Sequence, residues 1–357
     1  MFSSDKKTAV VLFQLGGPDS LEAVEPFLYN LFMDPDIIDF PLAFLARKPL
    51  AKLISSKRAP RVQENYKLIG GKSPILELTR RQAAALEKLL RTQGIQATTF
   101  MAMRYWHPMT DEVAQKIKQD KFEQILLLPL YPHFSQATTY SSLNEWNRAI
   151  KKIGLDLPTR FRCCYPNHSL FISALVENIT LCFGRFSNIP QDDIDLIFSA
   201  HGVPVSYIDK GDPYQLQIEE TVRAILKQGQ WKSNHTLCYQ SKVGPMQWLK
   251  PSLVETIHTL GQAGRKHLMI IPIAFVTDHI ETLHEINIDA RKEAMHLGIT
   301  QFELMPALND HPTFIQCLAD ITTSLLQAPQ QREACSILWK QKSASPQPRL
   351  CPGKTDL

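Results

Sequence analysis

Short apolar runs rich in β-branched residues alternate along the chain with stretches whose apolar positions return every three or four residues. That alternation predicts parallel sheets covered by helices on both faces. The runs form two sets of four, at 8–15, 97–103, 124–130 and 159–163, then at 195–200, 236–240, 267–273 and 301–304. Helical periodicity falls between them, as at 21–32, 79–92, 170–183, 214–227, 251–263 and 282–297. The third runs of the two sets echo one another, Leu126-Leu127-Leu128-Pro129-Leu130 against Ile270-Ile271-Pro272-Ile273. The echo suggests a duplicated Rossmann-like unit with a ligand cleft between the halves. The fold expected is therefore α/β, with two Rossmann-like domains built on parallel sheets, one at 8–164 and one at 165–309. A helix at 310–328 is expected to pack back across the domains, and a polar, proline-containing tail at 329–357 to be poorly ordered.

Composition narrows the functional classes. A chain of 357 residues, 44% hydrophobic and 21% charged, is long enough for two real cores. No run approaches the roughly 18 apolar residues of a spanning helix, and the first residues lack a signal-peptide core, so a cytoplasmic protein, soluble or peripheral at the inner face of a membrane, is expected. The net charge of +4 is mild and dispersed, which argues against nucleic acid as a partner. The seven cysteines include no C-x-x-C pair, so neither a disulfide framework nor a zinc ribbon is indicated.

Candidate chemistry gathers at strand ends. The run ending at Ala200 leads into His201-Gly202-Val203-Pro204, which puts a histidine where α/β folds expose side chains to a ligand crevice. A second run leads into Phe275-Val276-Thr277-Asp278-His279-Ile280-Glu281. Glu281, Glu285, Asp289 and Glu293 then recur every four residues, one stripe on a helix. Such a stripe suits a solvated face, and beginning beside Asp278 and His279 it also suits a hydrated divalent cation. Near the N-terminus Gly16-Gly17-Pro18 is a tight turn without the G-x-G-x-x-G spacing of a dinucleotide loop. The proline-broken apolar stretch 31–50, closed by Arg47 and Lys48, suits either core or a lip that meets a membrane surface.

Both strand-end segments, together with Lys57 to Pro74, Arg104-Tyr105-Trp106-His107-Pro108, Tyr131-Pro132-His133 and Gln240 to Leu249, resemble the signatures of the ferrochelatases. The resemblance covers roughly residues 8–326 and implies insertion of ferrous iron into protoporphyrin IX to give protohaem. A coproporphyrin III ferrochelatase is the alternative, and a non-catalytic haem-binding or delivery protein a more distant one. It implies His201 and Glu281 as catalytic and metal-facing residues, partners across the porphyrin, and Glu285 and Asp289 as a metal or proton route. Leu15, Arg58, Tyr66, Ser73, Arg104, Tyr105, Tyr131, Trp248, Phe275, Asp278 and His279 are implied to bind the porphyrin. Fe2+ is expected as substrate, with no prosthetic group. Many relatives carry a [2Fe-2S] cluster, but here the first ligand position is Gln136 and the tail offers only Cys335 and Cys351, so no cluster is expected.

Overall fold

The computed structural model describes residues 2–37, 43–242 and 246–327. The chain divides into two compact units, one of residues up to Cys164 with the helical stretch from Ile315, the other of Tyr165–Phe314. In the first unit β1 (Thr8–Gln14), β2 (Ala97–Met103), β3 (Gln124–Pro129) and β4 (Thr159–Phe161) make a parallel sheet of order β2-β1-β3-β4. In the second, β5 (Ile194–His201), β6 (His235–Gln240), β7 (His267–Pro272) and β8 (Gln301–Leu304) make a parallel sheet of order β6-β5-β7-β8. The two orders are the same, each with its first strand in second place.

The registers match as well. Phe13 pairs with Pro129 as Ser199 pairs with Pro272, and each central strand runs on to a glycine, Gly16 or Gly202. Met103 donates its N–H to the Pro108 carbonyl and Tyr239 donates to that of Pro251, both at 2.9 Å. The duplication expected from the apolar echo is thus visible in topology. β1 and β3 are buried along their whole length, as central strands covered on both faces must be.

Helices α1 (Val24–Phe32), α2 (Ala43–Lys67), α3 (Ile75–Thr92), α4 (Thr110–Gln119) and α5 (Ser141–Ile153) surround the first sheet. Helices α6 (Ser169–Phe183), α7 (Val205–Asp209), α8 (Tyr214–Gly229), α9 (Leu253–Gln262) and α10 (Arg291–His296) belong to the second unit, and α11 (Pro312–Gln327) closes the described chain. One core packs Val11, Phe13, Ile125 and Leu127 against Ile117 and Trp146, the other Ile197, Leu268 and Ile270 against Ile257, Ile286 and Phe302. From Ile315 onward α11 belongs to the first unit, where Arg160 donates to the Leu325 and Leu326 carbonyls.

Two elements depart from expectation. The region that begins in the proline-broken stretch 31–50 is, from Ala43, one helix of 25 residues with Pro49 and Pro60 inside it. Each proline removes a backbone donor and costs roughly 3 kcal/mol in a helix interior, so tertiary contacts must hold the segment. Ala51, Ser55, Ala59 and Tyr66 form its buried stripe, Lys52 reaches Glu25 at 2.5 Å, and Gln63 donates to the Leu21 carbonyl. The helix expected over 282–297 is a π-helix, Glu281–Ala290, that passes into α10. The proposed lip residues Phe40 and Leu42, the side chain of Phe44, and the tail with Cys335 and Cys351 lie outside the described residues.

Candidate active site

β5 ends at His201 because its apolar run stops there, and the turn that follows is tied down from two sides. Tyr214 Oη donates to the His201 carbonyl at 3.0 Å, and Gly202 N–H donates to the Gln240 carbonyl at 2.7 Å. A Cβ at Gly202 would be tight, 3.0 Å from that carbonyl oxygen and 3.2 Å from the Trp248 ring, so a larger residue would press on both. The loop carrying Trp248 pairs with the residues after His201: Val205 N–H donates to the Gln247 carbonyl and Leu249 N–H to that of Val203. Trp248 thereby stands 6.4 Å from the His201 ring, and Phe275 stands 6.2 Å away on an edge-on approach.

The strand after which Glu281 appears is followed by a turn locked by Asp278. Its carboxylate accepts from Thr282 Oγ1 at 2.9 Å, Asn309 Nδ2 at 2.8 Å and the Ala307 N–H at 3.3 Å. That fixes where the π-helix starts, and Glu281 is its first residue, where the helix dipole favours a negative charge. π-turns recur at functional sites because they re-aim side chains within a helix.

His201 Nδ1 and Glu281 Oε2 are 2.7 Å apart. The carboxylate accepts, so Nδ1 carries the proton and Nε2 is the ring nitrogen with a free lone pair in the neutral histidine. The His201 side chain retains 34% exposure against 16% for Glu281, so the histidine is the more accessible member. This corrects the expectation that the two face each other across the porphyrin. A macrocycle between them needs van der Waals clearance on both faces, which a hydrogen bond of this length does not leave; the two lie together on one side of any such ring.

Charges around the pair push its members apart. Burial opposes protonation of His201, but the Glu281 carboxylate and its hydrogen bond, with Glu285 behind, outweigh burial and raise the imidazole above its ordinary 6.5. Burial also opposes ionisation of Glu281, yet His201 and then His279 hold it well below the carboxylate range. For Glu285 burial and the neighbouring Glu281 charge win, and its carboxyl is raised. Two carboxylates with opposite shifts, joined through one hydroxyl, suit division between a permanent anion and a proton acceptor.

That hydroxyl belongs to Ser241, which the sequence reading did not select. It lies 2.5 Å from Glu285 Oε2 and 3.4 Å from Glu281 Oε2. Ser241 sits at φ +64°, in the left-handed region. Such a residue costs on the order of 1–3 kcal/mol and clusters where function requires it. No periodicity signals such a position; a serine directly after a strand end was the only trace.

The other expected residues are distributed as follows. His279 is buried, its ring 4.5 Å from Phe275 and its Nε2 3.7 Å from Glu281 Oε1, so it backs the pair. Asp278 is spent on the turn, a correction to its expected place on the porphyrin. Asp289 is 63% exposed at its side chain and 3.2 Å from His284 Nδ1, while Glu293 pairs with His258 at 2.7 Å, away from the site. The four-residue acidic stripe therefore splits into two inward and two outward members. Among the described residues no three histidine, cysteine, aspartate or glutamate side chains converge on a metal position.

In the first unit Arg104 and Tyr105 are also corrected. Arg104 Nη2 pairs with Asp34 at 2.9 Å and its Nε donates to Ser141, whose hydroxyl and that of Tyr105 both donate to the same Asp34 carboxylate at 2.6 Å. Tyr105 is fully buried and Arg104 nearly so. An internal carboxylate thus occupies the place expected for a substrate carboxylate, and the phenol ring has no open face. Tyr131 and Leu15 remain half-buried at the carboxyl edge of the sheet. Ser73 packs against Gly17, where a Cβ would meet its Oγ at 2.6 Å, and its N–H donates to the Pro18 carbonyl. On α2, Tyr66 is buried and Arg58 exposed, the guanidinium 5.6 Å above the Phe32 ring.

Two parallel-sheet units of matching order define a chelatase-type α/β fold. SirB from Bacillus subtilis with Fe3+ is similar, with a TM-score of 0.51 over 90% of this chain and 96% of that one, at 12% identity. The family profile for ferrochelatase matches residues 7–326. A ferrochelatase of Citrifermentans bemidjiense is 46% identical over 315 residues, 88% of this chain and 97% of its own length. One of Gloeothece citriformis is 46% identical over 327 residues, 90% and 83% respectively. The chain belongs to the ferrochelatase family. Its activity is metal insertion into a porphyrin for haem synthesis, with ferrous iron as the substrate metal.

Proposed function

We propose that the porphyrin is protoporphyrin IX and that His201 takes up a pyrrole proton through Nε2. The observation that carries the role of His201 is the 2.7 Å contact of its Nδ1 with Glu281, which leaves Nε2 as the base; the choice of protoporphyrin is supported by the apolar stretch 31–50 of the sequence. A free porphyrin holds two N–H protons, and Fe2+ replaces both, so two protons must leave. Nε2 accepts one, and the resulting imidazolium is stabilised by the Glu281 anion. Glu285, whose carboxyl is already raised, is the nearest acceptor for the second. Side-chain exposure increases from 16% at Glu281 to 63% at Asp289, which supports these acids as a route to solvent for protons or metal. Phe275 and Trp248 supply apolar surface beside the base. Leu15, Tyr131, Ser73 and Arg58 are assigned to the porphyrin on the family resemblance.

The enzyme works without an iron–sulfur cluster, on the ground that Gln136 stands at the first ligand position. It is assigned to the cytoplasm, with peripheral contact at the membrane. Among the described residues no helix is long and apolar enough to cross a membrane. The contact reading is supported by α2, whose exposed Leu50 and Leu53 accompany Arg47, Lys48 and Lys52.

Anaerobic incubation with ferrous iron and either porphyrin, followed optically, tests specificity. Protoporphyrin IX should turn over with the higher kcat/KM, and preference for coproporphyrin III would reverse the assignment. Replacing Phe40, Leu42 and Phe44 with serine should weaken vesicle binding and protoporphyrin capture more than coproporphyrin capture, because two further carboxylates keep the latter soluble. Equal losses would return the segment to the core.

A further inference from the structure

We infer that Ser241 is a positioning residue for metal insertion, kept in a strained backbone conformation so that one hydroxyl can set the spacing of Glu281 and Glu285. The inference rests on the proposed roles of His201 and Glu281. Three observations carry it. The hydroxyl is the polar bridge between two half-buried carboxylates, 2.5 Å from one and 3.4 Å from the other. The carboxylate oxygen it approaches on Glu281, Oε2, is the same oxygen that meets His201 Nδ1. The backbone at Ser241 is left-handed, where glycine is the unstrained residue and serine is not.

The placement has a local cause. β6 ends at Gln240, whose side-chain carbonyl accepts from Ser199 and whose backbone carbonyl accepts from Gly202. With Gln240 held, an extended residue 241 would continue the strand direction; the left-handed turn redirects the chain and brings the side chain to the first turns of the π-helix. A glycine would make that turn more easily and leave the carboxylates unbridged. Two neighbouring anions with no bridge move apart, and Glu281 then loses its fixed approach to the imidazole. The side chain is therefore retained for its oxygen, against the preference of the backbone.

This predicts an uncommon combination, in which one substitution makes the protein more stable and the enzyme slower. Ser241→Gly should raise the melting temperature above wild type while lowering kcat for iron insertion by about tenfold or more, with KM for protoporphyrin within about twofold. Ser241→Ala, which removes the hydroxyl and keeps the Cβ strain, should lower kcat similarly without the thermal gain. A merely structural serine would give lower melting temperatures and loss of active protein at unchanged kcat per folded molecule. The inference is overturned if Ser241→Gly keeps kcat within twofold, or if it melts lower than wild type. His201→Ala and Glu281→Gln, assayed alongside, separate the two levels. If they lose activity and Ser241→Gly does not, the positioning role alone fails; if they remain active, the proposed base and its partner fail.

Discussion

The carboxyl edges of the two sheets are built alike and used differently. In the first unit the edge gathers Arg104, Asp34, Ser141 and Tyr105, and each charge there is met by an internal partner. In the second it gathers His201, Glu281, Glu285 and Ser241, where the histidine side chain keeps 34% exposure and two carboxyls are shifted in opposite directions. Strand order, register and the strand-end hydrogen bonds to proline carbonyls are shared. The contrast shows that topology offers a place for chemistry without supplying it; the first edge closes its polar network on itself, and the proposed chemistry is assigned to the edge whose network stays open.

The comparison breaks most visibly at His201. His201→Ala should remove the general base, a loss of about 10²–10⁴-fold in kcat, while porphyrin affinity by fluorescence quenching stays within about tenfold. Near-normal turnover would mean that the second edge is as closed as the first. At the first edge, Asp34→Ala leaves the buried Arg104 charge with only its longer contact to Glu145 at 3.7 Å, and breaking a buried pair costs about 3–5 kcal/mol. Urea unfolding should show that loss, with kcat/KM per folded molecule near wild type. A selective fall in kcat/KM would place Arg104 on the substrate after all.

The third variant sharpens the electrostatic difference. Glu281→Gln should lower the insertion rate well beyond Glu293→Gln, whose carboxylate only meets His258 at the surface. The pH profile carries the sign. His201 must be neutral to accept a proton, and its pKa lies above 6.5, so wild-type kcat/KM should rise with pH through a midpoint above 6.5. Without the Glu281 charge, burial is left to lower that pKa, and the midpoint should move down. The penalty of Glu281→Gln should therefore be smaller near pH 6 than near pH 8. An unmoved midpoint would show that the limb belongs to another group.

The strands were legible because each is a short apolar run, buried along nearly its whole length in the central strands β1, β3, β5 and β7, and the duplication was legible because one pair of those runs nearly repeats. Helix α2 was not, since its buried stripe consists mostly of small residues, Ala51, Ser55 and Ala59, while Pro49 and Pro60 signal breaks and Leu50 and Leu53 face solvent. The candidate site was legible in its members, His201, Glu281 and Glu285, which polar residues after apolar runs advertise. Its geometry was not. A four-residue acidic spacing fits an α-helix and a π-turn alike, and nothing in a sequence says whether Glu281 meets His201 directly or through a ligand. Arg104 looked like a substrate contact because its partner, Asp34, lies 70 residues earlier.

The return of α11 to the first unit has a consequence for the order in which the protein is made. Arg160 waits for carbonyls 165 and 166 residues further along the chain. At a synthesis rate of about 5–20 residues per second, that interval is roughly 8–33 s. Throughout it the amino-terminal sheet can form, but the surface that will receive Ile315, Leu318 and Leu326 stays uncovered, so the first unit to emerge from the ribosome is the last to be completed.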